Sequence, residues 1–142
     1  MRLHDADYAN RIANIPEVAR GLLPGGDEND WDFTVAVSKP ENIFLRCGEG
    51  VALCEWSAPR VYECHLLFPP SCRGRRAINE AREMSDFMMA NHADVLWGRP
   101  PRANRAAIWM IRQVGFHHAG FGHHTLVGDV EYLVRDKLCH HL

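Results

Sequence analysis

A basic, glycine-containing turn follows two consecutive prolines in residues 71–77, which read Ser-Cys-Arg-Gly-Arg-Arg-Ala. It lies between a strand-like segment and a helix-like segment, so its backbone N–H groups would open a helix. Such N–H groups have no intrahelical partners, and they sit at the positive end of the helix dipole, which suits phosphate. Gly74 permits close approach of a ligand to the backbone, and Arg73, Arg75 and Arg76 add charge-assisted contacts. The turn therefore predicts a site for a phosphate-bearing anion, although a solvated basic helix start without a ligand remains the alternative.

Two groups able to transfer a proton lie just before this turn. Glu63 and His65 are two residues apart in the strand-like segment 60–68, so their side chains share one face of the strand. Either group could act as a general base. The alternative interpretation is a polar sheet face, on which the two side chains pack under the N-terminal helices or pair with each other.

The cysteines and histidines favour structural roles. Five cysteines with no Cys-x-x-Cys pair indicate free thiols in a reducing compartment. Cys72 precedes a helix start beside arginines, a setting that lowers the pKa of a thiol, but a catalytic thiol also needs a nearby histidine, so we interpret Cys72 as a core residue. The histidines include three adjacent pairs, His117-His118, His123-His124 and His140-His141, the last beside Cys139. Neighbouring histidines on a strand point to opposite faces, and the pairs match no zinc-ligand spacing, so no metal site is predicted.

The elements that position these groups follow from the hydrophobic periods. Residues 5–23 are helical in pattern and break near Pro16, with Asn14 expected to cap the second helix, and residues 23–27 form a turn cluster. Strands are predicted at 32–38, 43–47, 51–56, 60–68, 94–97, 116–121 and 125–134, and helices at 75–90 and 103–114, the latter capped by Gly115. The order predicts an α/β (α+β layered) fold with a mixed, mostly antiparallel sheet flanked by helices.

Bulk composition fits one soluble domain. The chain has 142 residues, of which 46% are apolar and 24% charged, and its net charge is −2. That balance offers no overall basic field for nucleic acid, and the apolar runs are too short for a membrane span. We expect a single domain over 1–142 with N-terminal helices (1–26), a strand meander (31–68), a helix-strand-helix unit (71–116), and closing strands with a His-rich tail (117–142).

The order of elements and the basic turn resemble the GNAT superfamily of acyl-CoA N-acyltransferases. That family opens its central helix with an Arg/Gln-x-x-Gly-x-Gly/Ala turn and later has an asparagine-started helix that ends in Gly-Phe. The matching residues are Asn104, Gly115 and Phe116 and the run from Arg73 through Gly74, Arg75, Arg76 and Ala77 to Ile78. The resemblance implies that this run binds the pyrophosphate of acetyl-CoA, that Asn104 either bonds near the cleft or caps its helix, and that Glu63 or His65 serves as the base.

The chain departs from the GNAT pattern at three positions. Arg76 and Ile78 stand where the turn has its glycine and its glycine or alanine, and could obstruct the pyrophosphate. Ile111 stands where many members have a tyrosine that protonates the leaving thiolate, so the general acid is unassigned.

The chain also resembles small GNAT-like proteins of tailed bacteriophages, through Asn14-Ile15-Pro16-Glu17-Val18, Glu63-x-His65-x-x-Phe68 and the basic turn. These resemblances imply either an N-acetyltransferase that moves an acetyl group from acetyl-CoA to an unidentified amine, or a non-catalytic virion or tail-associated protein. The first would have an amine substrate and the second other virion proteins as partners. A homo-oligomer and a location in the host cytoplasm or the phage particle are further expectations.

Overall fold

The structure is a computed structural model that describes residues 1–22 and 30–137. These residues form five helices and seven strands. In chain order they are β1 (Arg2–Leu3), α1 (Asp7–Ala13), α2 (Pro16–Leu22), α3 (Thr34–Ser38), β2 (Ile43–Cys47), β3 (Gly50–Ala58), β4 (Val61–Leu67), α4 (Gly74–Asn91), β5 (Val95–Gly98), α5 (Arg105–Gln113), β6 (His117–His124) and β7 (Gly128–Asp136).

The seven strands form one sheet in the order β1-β2-β3-β4-β5-β7-β6. Every neighbouring pair is antiparallel except β4 and β5, which are parallel and joined by the α4 crossover. The predicted mixed, mostly antiparallel sheet flanked by helices is therefore confirmed.

Alternation along the central strands gives the sheet two buried faces. On β4, Tyr62, Cys64 and Leu66 face α4 and α5, whereas Leu67 packs against the N-terminal helices. The α4 side carries the larger core, whose fully buried members include Met84, Met88, Leu96 and Leu133.

The apolar stripe of α4 recurs at three- and four-residue steps and places Ala77, Ala81, Met84 and Met88 against the sheet. The helix thereby fixes where its own N-terminus lies relative to the end of β4. The predicted helix over 75–90 is confirmed.

The predicted strand over 32–38 is wrong, because this segment holds the short helix α3. Side chains of α1 bind its entry backbone: Asn10 accepts the N–H of Phe33 at 2.8 Å, and Asn14 both accepts from and donates to the main chain of Trp31. Asp32 then accepts the N–H and the hydroxyl of Thr34, which turns the chain into a helix. These bonds replace a strand ladder, so the meander over 31–68 begins only at β2.

Asn14 also differs from its predicted role. It is the C-cap of α1, and its amide is used by Trp31 rather than by the start of α2. No pattern in residues 1–4 predicts the two-residue strand β1, which pairs with β2. The predicted turn at 23–27 lies outside the described residues. Within residues 1–22 and 30–137, no helix has both the length and the apolar character needed to cross a bilayer.

Candidate functional site

The sheet opens between β4 and β5. These strands pair at only three positions, the last of which joins Glu63 to Trp97. β4 continues to Leu67 against β3, whereas β5 ends at Gly98 and the chain turns away to a bridge between Pro101 and Val130. In the part of the chain that the structure describes, no strand covers β4 beyond Glu63 on this side, so its outward N–H and C=O groups are available to a ligand.

The N-terminus of α4 lies just beyond the end of β4. Arg73 is its N-cap in an extended conformation, and no side chain caps the helix. Gly74 has a φ of +63°, and a Cβ placed on it would meet no atom within 4 Å. The first N–H groups of this long helix therefore have no side-chain cap, and the space beside Gly74 is open, at a residue whose conformation favours glycine.

The side chain of Arg76 turns toward the β2–β3 hairpin. Its guanidinium lies 3.6 Å from Glu49 Oε2 and 3.3 Å from Glu80 Oε2. It does not come within 4 Å of the Cβ position at Gly74, so it leaves the space above that glycine open. Ala77 is buried against the sheet and Ile78 is half-buried.

Glu63 and His65 lie at the mouth of the opening, on the sheet face opposite α4. The Glu63 side chain is 13% exposed, and its Oε2 atom lies 3.0 Å from Arg99 Nε without the alignment of a hydrogen bond. His65 Nε2 lies 3.8 Å from Glu63 Oε1 and 3.7 Å from Glu55 Oε1. The carboxylate is thus charge-compensated by Arg99 while retaining an unused acceptor atom, as a group that takes a proton requires.

Asn104 caps α5. Its Oδ1 accepts the N–H of Ala107 at 3.2 Å, and its Nδ2 donates to the carbonyl of Gly21 at 3.3 Å. Both ends of the amide are therefore engaged, and they tie the start of α5 to the end of α2. Of the two roles that the sequence left open, the structure shows the cap.

Ile111 is half-buried and packs against the α4-side core. It has no proton to donate, so the general acid stays unassigned.

Cys72 does not have the lowered pKa expected from its position. Burial and the hydrogen bond to Glu80 raise the pKa of this thiol to about 11, against the smaller opposing effect of Arg76. Cys72 is completely buried, which agrees with its interpretation as a core residue. It is a neutral thiol at neutral pH.

The paired histidines go to separate partners. His118 Nδ1 lies 3.4 Å from Glu131, His123 Nδ1 lies 3.0 Å from Asp129, and His124 accepts the N–H of Leu126. Among residues 1–22 and 30–137, no three His, Cys, Asp or Glu side chains gather as a ligand set. Cys139 and the pair His140-His141 lie outside these ranges.

Sequence reasoning missed Arg99, Glu55 and Glu80. Arg99 and Glu55 meet Glu63 and His65 only through the β3–β4 and β4–β5 pairings, and Glu80 meets the hairpin only once α4 has docked. No local motif marks these contacts. The one available signal was the position of Arg99 immediately after the strand that pairs with Glu63.

Solved structures of N-acetyltransferases share this fold at low sequence identity. The aminoglycoside acetyltransferase AAC(6')-Ib in complex with ribostamycin and coenzyme A aligns with a TM-score of 0.76 at 14% identity, over 99% of this chain and 94% of that one. Spermidine N-acetyltransferase from Vibrio cholerae, in complex with CoA and spermine, aligns with a TM-score of 0.75 at 11% identity, over 100% and 96%. Ribosomal-protein-alanine N-acetyltransferase from Brucella melitensis aligns with a TM-score of 0.73 at 15% identity, over 96% and 98%.

No protein-family model and no curated protein sequence matches the chain. The structural similarity alone establishes the fold, which is that of the GNAT N-acetyltransferases.

Proposed function

We propose that this protein is a GNAT-type N-acetyltransferase that moves an acetyl group from acetyl-CoA to an amine. The observation that carries the proposal is the opening between β4 and β5 beside the uncapped start of α4. One end of that space offers free N–H groups and arginines for phosphates, and the other offers unpaired strand backbone and an acid–base pair. The similar folds that were solved in complex with acetyl-CoA or CoA support it.

In this proposal, the pyrophosphate is held by the helix start. The N–H groups of residues 74–76, which have no intrahelical acceptor, and the side chains of Arg73 and Arg75 would contact the anion. Arg73 also donates to the Phe68 carbonyl at 3.5 Å, and Arg76 stays with Glu49 and Glu80. Asn104 contributes by fixing where α5 begins. Acetyl-CoA fits this site because Gly74 leaves open space above the helix start. When bound, acetyl-CoA supplies the acetyl group as a reactive thioester.

Glu63 or His65 accepts the proton of the attacking amine. Both lie beside the last β4–β5 pair, where the opening begins. Arg99 holds the Glu63 carboxylate in place, and the unpaired N–H groups of β4 are donors suited to an oxyanion. Candidate acceptors are polyamines and aminoglycosides, because proteins of similar fold were solved in complex with spermine and with ribostamycin.

Calorimetry with acetyl-CoA and one matched pair of variants tests the cofactor site. Gly74 and Gly128 both have positive φ (+63° and +80°), and a Cβ at either would meet nothing within 4 Å. Gly74→Glu and Gly128→Glu therefore carry similar strain and the same added charge, but only the first places it at the helix start. We expect micromolar binding by the natural chain, a loss of at least about tenfold in Gly74→Glu, and little change in Gly128→Glu. The absence of both heat and a thermal shift at millimolar ligand would reject the proposal. Equal binding by both variants would also reject it.

Turnover of an amine panel tests the base. Replacing the true base is expected to lower kcat/KM by roughly 10²- to 10⁴-fold, so either Glu63→Gln or His65→Ala should show that loss. His92→Ala is the control, because His92 is the C-cap of α4, at the end of that helix opposite the basic turn. Unchanged turnover in both Glu63→Gln and His65→Ala would refute the assignment.

A second candidate is a non-catalytic GNAT-fold component of a phage particle or tail. Ile111 in place of a proton donor favours it, as do three exposed aromatic side chains, Trp56, Trp109 and Phe121, at 47%, 57% and 58% exposure. In that role the protein would contact other virion proteins or a second copy of itself in the host cytoplasm and the assembled particle. Its recovery from purified intact particles, together with no acetyl-CoA binding, would select this function.

A further inference from the structure

Two thiols face each other across the centre of the sheet. Cys54 on β3 and Cys64 on β4 are direct partners in the antiparallel register, and their Sγ atoms are 3.1 Å apart. The two thiols lie on the α4 side of the sheet, whereas Glu63 and His65 lie on the opposite face. The proposed acetyl transfer makes no use of these thiols. Neither residue belongs to a sequence motif.

The backbone already has the geometry that a disulfide needs. Directly opposed residues on antiparallel strands have Cα atoms about 4.5 to 5.5 Å apart, inside the range that disulfides span. Both side chains point to the same face of the sheet, toward α4. Closing the gap between the sulfurs to about 2.05 Å requires only side-chain rotation and a small approach of the strands.

The thiols also border a small cavity under α4. Its volume is about 10 Å³, enough for one water-sized molecule, and its lining includes Cys54, Cys64, Ser85 and Met88. Cys54 is completely buried, whereas Cys64 is half-buried. Because Cys64 is the less buried residue of the pair, we place the approach of a small oxidant on its side.

We infer that Cys54 and Cys64 are a reversible redox pair that a peroxide converts to a cross-strand disulfide. The Cys64 sulfur attacks one peroxide oxygen, the O–O bond breaks, and water leaves, which forms a sulfenic acid. The Cys54 sulfur then attacks the Cys64 sulfur, the S–O bond breaks, and a second water leaves as the S–S bond forms. Two thiols lose two electrons and two protons, and hydrogen peroxide is reduced to two waters.

The protonation state of the pair sets the pace of this reaction. Contact with the Cys54 thiol, followed by burial and the charge of Glu63, raises the pKa of Cys64 well above the ordinary value. Because the thiolate is the nucleophile, oxidation is slow at neutral pH and speeds up as the pH rises.

Intact-mass analysis tests the inference directly. A chain with Cys47, Cys72 and Cys139 replaced by serine keeps only this pair. After hydrogen peroxide it is expected to lose about 2 Da, to lose both alkylatable thiols, and to regain both with a dithiol reductant. A gain of oxygen mass without loss of the second thiol, or two thiols that stay alkylatable, would overturn the inference.

The unaltered chain provides a second measurement, should the triple variant fold poorly. Trypsin releases residues 47–60 and 61–73 as separate peptides from the reduced protein. After oxidation the two peptides are expected to be linked, with fragmentation placing the bond between Cys54 and Cys64. Cys64→Ser is the control and is expected to yield no such link. A bond placed at Cys47 or Cys72 instead would contradict the assignment.

Discussion

Glu80 is the residue that joins the basic helix start to the rest of the sheet. Its Oε1 atom accepts the N–H groups of Glu49 at 3.1 Å and Gly50 at 2.8 Å, and its Oε2 atom pairs with Arg76. The carboxylate therefore holds the β2–β3 hairpin loop against α4, one to two turns from Gly74. A side chain on Gly48 would collide with this carboxylate, which shows how closely the loop and the helix pack.

Glu80→Ala removes both of these hydrogen bonds at once. Hydrogen bonds to a charged acceptor contribute about 1.5 to 3 kcal/mol each, and partial exposure of the loop lets water replace some of that loss. Since the Glu80 side chain is only 12% exposed, we expect the free energy of unfolding to fall by about 3 kcal/mol. For a chain of this size, that corresponds to a decrease in Tm of about 6 to 12 °C.

Urea unfolding followed by tryptophan fluorescence measures the effect. Glu80→Gln keeps an acceptor oxygen and loses only the charge, so it is expected to cost about 1 kcal/mol. Glu83→Ala is the matched control on the same helix, because its carboxylate accepts a hydrogen bond from the half-buried Cys47 thiol and none from the hairpin backbone. A Glu80→Ala variant no less stable than Glu83→Ala would refute the reasoning.

Three further outcomes follow from the same contacts. Asn104→Ala is expected to lower the free energy of unfolding by about 1 to 2 kcal/mol, because it removes a helix cap and the bond to Gly21. Asn104→Ser keeps the cap and should lose less stability, and equal stabilities of the two variants in urea would contradict the role of Asn104 as a cap. Oxidation of Cys54 and Cys64 closes a short loop, so calorimetry should record a gain of about 2 to 3 kcal/mol, or about 5 to 10 °C in Tm; an unchanged Tm in the disulfide form would argue against that gain. Cys72, with its pKa raised to about 11, should be alkylated at pH 8 at least about a hundredfold more slowly than an ordinary cysteine, and its alkylation rate should increase as the pH approaches 11. An ordinary rate in site-resolved mass spectrometry would contradict the raised pKa.

Much of the fold could be predicted because the central elements have strong periods. The alternation along β4 and the three- and four-residue steps of apolar residues along α4 predict which side chains face the core. In the structure, the apolar face of α4 packs against the sheet, and alternate side chains of β4 lie on opposite faces of that sheet. Gly115 was also predictable as the glycine that ends α5, and there it adopts a positive φ.

The failures have tertiary causes. Phe33 and Val37 fit a strand, but the side chains of Asn10 and Asn14 occupy the backbone groups of Trp31 and Phe33 that a strand would use for pairing. The ion pair of Arg99 with Glu63 depends on strand pairing across the α4 crossover, which no local pattern encodes. The sequence could therefore place the basic turn at the start of α4, but it could not show that Arg99 and Glu55 lie beside Glu63 and His65.

Backbone NMR during a titration with coenzyme A tests the central claim most directly, since it maps binding residue by residue. If the opening between β4 and β5 is a working cofactor site, the amide signals of residues 74–77 and 64–67 should shift first and saturate together. Signals that stay fixed at millimolar coenzyme A, or that shift only at the β1 edge of the sheet, three strands from β4, would contradict it.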